Sequence, residues 1–182
     1  MPHSMSVPLF NYADSNFIVH HTVSENFEDP YTRLHMHTMY ELYCFLDGEG
    51  VFTVEGNIYK LESGMLLLIR PGEAHSAKIV STSRYERIAV HFTPSFLEND
   101  CIREMLHAFE TAKNGSKHCF FCNDESAYPL KLLHEITNPK LISDHNACKL
   151  ALLTNLPALL YSLSENCSHN VSVDGTSHDW LG

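Results

Sequence analysis

Four side chains in this sequence have the types and spacing to do chemistry together: His35, His37, Glu41 and His75. Successive side chains along a strand point to opposite faces, so the odd-numbered His35, His37 and Glu41 share one side of an unbroken strand. His75 follows Pro71-Gly72, a turn that can bring it alongside from a neighbouring strand. Three imidazoles and a carboxylate on one wall supply the nitrogen and oxygen donors of a transition-metal site. They serve equally well as hydrogen-bonding groups in a polar ligand pocket. The residue types alone leave both chemistries open.

The elements that must position these groups read as short strands and tight turns from about Asn16 to Phe92. Phe17 to Val19 and Glu41 to Leu46 are expected strands, the second ended by the hairpin signal Asp47-Gly48-Glu49-Gly50. Val51 to Val54, Ile58 to Leu61, Met65 to Ile69, Ala74 to Val80 and Arg87 to Phe92 follow. Several short strands at near-regular spacing predict a sandwich or barrel. Leu42, Cys44 and Leu46 alternate with Glu41, Tyr43 and Phe45, so both faces of that strand carry apolar groups. One face can line a cavity. The other then needs a cover: another sheet, a helix or a second subunit.

After Pro94 the pattern becomes helical. Helices are expected over Ser95 to Phe109, over Glu125 to Thr137, and from a cap at Asp144 to about Ser164, with a short strand near 119–122. The last helix carries leucines at 150, 152, 153, 156, 159, 160 and 163, and Pro157 inside it predicts a kink. Those leucines suit either a dimer surface or packing on the chain's own barrel. Asn166 to Ser177 is polar and reads as a linker, after which Trp180-Leu181 looks like the start of a further domain. His118, Cys119 and Cys122 make half a zinc set, with no second pair better than His145 and Cys148 on a helix.

Composition narrows the function. The 182 residues fit one domain, and 44% hydrophobic content can build a core. Twelve Lys and Arg against 22 Asp and Glu give a net charge of −10. Nucleic-acid binding needs cationic side chains on phosphates, and no basic patch is present. The longest apolar run, Met65 to Ile69, is too short for a bilayer, and the N-terminus lacks a signal-peptide profile. A cytoplasmic protein with no membrane partner is expected, and six cysteines without disulfide-scaffold spacing agree with reduced thiols.

The first stretch resembles the cupin motif H-x-H-x3-E-x6-G at His35, His37, Glu41 and Gly48. The second resembles G-x5-P-x-G-x2-H at Gly64, Gly72 and His75, with Arg70 replacing the first proline and Ile79 where an asparagine usually follows. The wider order of features is similar to the N-terminal sensor domain of AraC-family transcription regulators over roughly 16–164. Those features are Glu41-Leu42-Tyr43, Pro71-Gly72-Glu73-Ala74-His75, Tyr85-Glu86-Arg87-Ile88, His91-Phe92-Thr93-Pro94 and then the helices.

The resemblance implies a mainly β fold with α: a cupin jelly-roll barrel over 1–93, a helical dimerisation appendage over 94–165, and a linker over 166–182 towards a DNA-binding domain outside this chain. It implies a non-enzymatic sensor that binds a small effector, such as a sugar, and forms a homodimer. Its ligand-binding set is His35, His37, Glu41, Tyr43, Arg70 and His75. The alternative is a stand-alone metal-dependent cupin enzyme, an isomerase or dioxygenase, holding Zn, Ni, Mn or Fe on His35, His37, Glu41 and His75.

Overall fold

The computed structural model describes residues 5–25, 33–80, 84–97, 100–111, 119–121 and 127–169. Among these residues nine strands form two sheets: β1 (Met5–Ala13), β2 (Phe17–Glu25), β3 (Tyr40–Asp47), β4 (Gly50–Val54), β5 (Asn57–Lys60), β6 (Met65–Ile69), β7 (His75–Ile79), β8 (Arg84–Phe92) and β9 (Cys119–Phe121). The large sheet runs β1-β2-β8-β3-β6-β9 and the small one β5-β4-β7. All the pairings are antiparallel. The described α-helices are α1 (Ile102–Met105) and α2 (His107–Thr111) before β9, and α3 (Tyr128–Ile136) and α4 (His145–His169) after it.

β3 separates two cores. Its odd face, Tyr43 and Phe45, packs with Phe52, Val54, Leu67, Ile69, Ala77, Ile79 and Tyr85 between the two sheets. Its even face, Leu42 and Cys44, packs with Leu66, Leu68, Ile88, Val90 and Phe92 beneath the helices. The cover for the second face is therefore helical and comes from the same chain. Gly48, between β3 and β4, has φ of 124°, and a Cβ there would sit 2.9 Å from the Arg84 carbonyl oxygen. Glycine is required at that hairpin for both reasons.

Several elements differ from expectation. β1 lies ahead of the expected start near Asn16; it buries Phe10 and Tyr12, and its ladder slips between Pro8 and Phe10. Proline and an interrupted alternation hide such an edge strand in sequence. The single helix expected over Ser95 to Phe109 is a 3-10 turn at Pro94–Phe96 followed by α1 and α2. The break at Leu106 lets Leu106, Ala108 and Phe109 all bury. α4 runs through Pro157 and continues to His169, past the expected linker start at 166. Proline has no N–H, so the helix bond to the Leu153 carbonyl is absent there.

α4 is long and apolar enough over His145–Glu165 to cross a bilayer by composition. Its Leu152, Leu156, Leu159, Leu160 and Leu163 are instead buried in the core cluster shared with the large sheet. That is the behaviour of a core helix. Leu150 and Leu153 face outward, at 63% and 40% exposed. Of the cysteine and histidine half-set, His118 and Cys122 lie outside the described residues. Cys148 is buried with its Sγ on the Leu141 carbonyl, and His145 lies against Tyr12.

The β1–β2 turn and α4 are tied together by one carboxylate. Asp14 Oδ1 accepts from the backbone N–H of Asn16 (2.8 Å) and Phe17 (2.9 Å), while Oδ2 meets Tyr12 Oη and Lys149 Nζ. Burial pushes the Asp14 carboxyl up, but these donors prevail and hold it below the usual carboxylate range. A depressed folded value means the contribution is present above the unfolded value and lost as pH falls through the folded one. Asp14→Asn is expected to cost about 1–3 kcal/mol at neutral pH. In urea unfolding series, the difference from wild type should shrink below about pH 4.

Candidate functional site

The segment before β3 is not a strand continuing into it. His35 exchanges backbone hydrogen bonds with His75 (3.0 and 2.9 Å) and so lies along the small sheet. Glu41 pairs with Ile69 and His91 in the large sheet. The expected unbroken strand from His35 to Glu41 is thus interrupted by a bend at Thr38 and Met39. The chain crosses from one sheet to the other at this point, and the Gly72 N–H bonds to the His37 carbonyl at 2.8 Å to hold the crossing. Gly72 takes φ of 82° there.

The crossing gathers imidazoles on a single oxygen. Glu41 Oε2 lies 2.9 Å from His37 Nε2, 3.2 Å from His75 Nε2 and 3.5 Å from His91 Nε2. Only the first is a well-formed hydrogen bond, which leaves His75 Nε2 buried without a partner; His91 Nδ1, the ring nitrogen turned away from Glu41, is likewise buried and unpartnered. His37 Nδ1 faces the Met39 carbonyl (2.8 Å) and His75 Nδ1 the Glu73 carbonyl (2.9 Å). A carbonyl only accepts, so in both rings Nδ1 carries a proton. The Nε2 atoms of two such rings then face a carboxylate. Neutral rings would oppose lone pairs to a negative oxygen, so the cluster calls for a further proton or a cation among them.

Charge follows this geometry. Glu41 is 5% exposed, and burial pushes its carboxyl up; the imidazoles of His37, His75 and His91 overcome that and hold it well below its ordinary range. His75 shows the converse: burial lowers it, while Glu41 and the Glu73 carbonyl raise it overall. His91 was not among the candidate residues in the sequence. The signal was there in the odd face of β8, where Tyr85, Arg87, Ala89 and His91 follow one another opposite the apolar Ile88, Val90 and Phe92.

Beneath the cluster lies a cavity of about 140 Å³, lined by residues that include His20, Glu41, Tyr43, His75, Arg87 and His91. His35 stands exposed at its opening, its ring 4.2 Å from that of His75 and its Nδ1 on the Arg33 carbonyl. It lies outside the trio His37, Glu41 and His91, whose ligand atoms are all within 4.8 Å of one another. Tyr43 is buried on the cavity wall, and its hydroxyl shares a 2.6 Å hydrogen bond with that of Tyr85. Burial pushes the Tyr43 phenol well up, so it stays neutral. Arg70 does not line the cavity. Its Nε and Nη2 donate to Glu73 Oε1 at 2.9 and 2.6 Å, bracing the Pro71-Gly72 turn.

A double-sheet barrel with a polar cluster at one end of its interior defines this as a cupin-type small-molecule-binding domain. The family model described as AraC-like ligand binding domain matches residues 18–159, and the chain belongs to that family. No curated protein matches the sequence. Among solved structures the chain is similar to the cupin domain of Cnp3 from Schizosaccharomyces pombe, at 14% identity and a TM-score of 0.42, covering 51% of this chain and 66% of that one. It is also similar to a cupin family protein with a double-stranded β-helix fold from Methanocaldococcus jannaschii, at 15% identity and 0.41, covering 48% and 80%. A third is a predicted oxalate decarboxylase from Thermotoga maritima, at 26% identity and 0.37, covering 41% and 64%.

Proposed function

We propose that this chain is the effector-sensing and dimerisation part of a cytoplasmic DNA-binding transcription regulator. The observation that carries the sensing role is the cavity itself, an interior space with converging imidazole, carboxylate, phenol and guanidinium groups. At roughly 10–15 Å³ per water-sized probe, its volume suits a small metabolite rather than a polymer. Effector binding there shifts the population of dimer arrangements, and DNA is contacted through a domain outside this chain. The −10 net charge supports that division of labour. In an anisotropy titration at moderate salt, this chain alone is expected to show no salt-sensitive DNA binding below micromolar concentration.

The dimer surface is the outward stripe of α4, where Leu150, Leu153 and Tyr161 are exposed. Leu160, fully buried on the chain's own sheet, has no part in it. Sedimentation is expected to show a dimer, weakened at least tenfold by Leu153→Glu with the fold intact. Leu160→Glu should instead unfold the monomer, because it places a charge in the core.

One observation favours a second reading, that of a metal centre. The buried His75 Nε2, without a hydrogen-bond partner, and the His37 Nε2 turned with it toward Glu41 fit a divalent transition ion in place of a proton. His37, Glu41 and His91 would hold it, with His75 adjoining, and the ion would supply Lewis acidity at that end of the cavity. Cobalt(II) titration followed by visible absorption is the check. His91→Ala is expected to weaken binding at least tenfold, while His35→Ala leaves it within about twofold. Stoichiometric metal together with turnover of a small substrate would favour the enzyme; a metal-free chain stabilised by a metabolite favours the sensor.

A further inference from the structure

The cavity has a second polar end that the imidazole cluster does not explain. Arg87 lines it, with its guanidinium carbon 5.0 Å from the Tyr85 ring centroid. Among the described residues no carboxylate lies within ion-pair distance of Arg87. Among the described residues Glu41 is the one acidic residue on the cavity wall, and its Oε2 is occupied by the imidazoles. Directly across the β2–β8 ladder from Arg87 stands Thr22, whose Oγ1 is buried without a hydrogen-bond partner. Opposite residues of an antiparallel pair share a face, so Thr22 stands on the same sheet face as Arg87, next to the residues that line the cavity. A half-buried guanidinium with no anion, sharing a sheet face with an unsatisfied buried hydroxyl, is costly unless a ligand completes both.

We infer that the effector is a small organic carboxylate, seated on Arg87 and Thr22 with its other end toward Glu41 and its imidazoles. Guanidinium is planar and pairs a carboxylate through two parallel N–H donors, which a neutral sugar hydroxyl cannot reproduce. A phosphate dianion would call for a second fixed cation, and among the described residues no lysine lines the cavity. The Tyr43–Tyr85 hydroxyl pair fixes the wall on which Arg87 rests. This inference rests on the sensing role proposed above and names the chemical class that the cavity takes.

The test is calorimetry and thermal shift on the full chain with acetate, pyruvate, lactate and benzoate. Each acid is compared with its amide, and glucose and arabinose serve as neutral probes. At least one acid is expected to bind and raise the melting temperature, with its amide weaker by about tenfold or more. Arg87→Met should abolish the shift, Arg87→Lys should weaken it, and Thr22→Val, nearly isosteric, should weaken it less than either. Circular dichroism on each variant separates lost binding from lost folding, and Thr22→Val with Arg87→Lys keeps the test open if Arg87→Met does not fold. Equal binding of acid and amide, or unchanged acid binding in folded Arg87 variants, would overturn the assignment. If no acid binds but a sugar does, the carboxylate falls and sensing stands. If neither group binds, both lose their support.

Discussion

The structure depends on β3 being buried on both faces. A strand in a one-layer sheet can leave one side to water, but Leu42 and Cys44 point one way while Tyr43 and Phe45 point the other, and all four are buried. Each face therefore demands its own cover. The small sheet covers the inner face and α3 and α4 contribute to the core over the outer one. The helical appendage is in this sense part of the fold rather than an accessory, because without it the apolar outer surface of the large sheet would stand open to water.

The same two-sided strand carries the site. Glu41 comes at the start of its inward series, one step before the apolar core at Tyr43 and Phe45, so a carboxylate is drawn into a place where its charge must be compensated. Compensation arrives from three separate elements: His37 from the crossing segment, His75 from β7 and His91 from β8. One oxygen thereby lies within 3.5 Å of rings from both sheets and from the link between them. Backbone carbonyls at Met39 and Glu73 set the orientation of two of the rings, which turns flexible side chains into a preorganised donor set.

Polarity is distributed unevenly along the cavity. At one end the Glu41 charge is met by imidazoles; at the other the Arg87 charge is met by an aromatic face and a phenol. Burial opposes the Arg87 charge, but Tyr85, Tyr43 and Glu41 outweigh it and favour the charged guanidinium. A cavity with opposite character at its two ends orients an asymmetric ligand, which is a sounder basis for discrimination than volume alone.

Much of this was legible in the residues themselves. Alternation around Leu42 to Leu46, the Asp47–Gly50 turn and the unbroken apolar run at Met65 to Ile69 are local patterns, and local physics sets their strands. His37, Glu41 and His75 were visible as a group through motif spacing. The rest depended on contacts between residues distant in the chain. Parity made His35 a partner of Glu41, but the bend at Thr38 and Met39 moved it onto the other sheet and out to the cavity mouth. Arg70 carried a charge suited to a ligand, yet Glu73 three residues on captured it. His91 and Arg87 entered the site only because β8 inserts between β2 and β3, a pairing that no local pattern encodes. The α4 leucines were equally apolar in sequence; only docking against the sheet separated the buried Leu160 from the exposed Leu153. Composition and periodicity determine which segments must be strands, turns and helices. Which side chains meet is decided by sheet order and burial, because those contacts join residues from tens to more than a hundred positions apart.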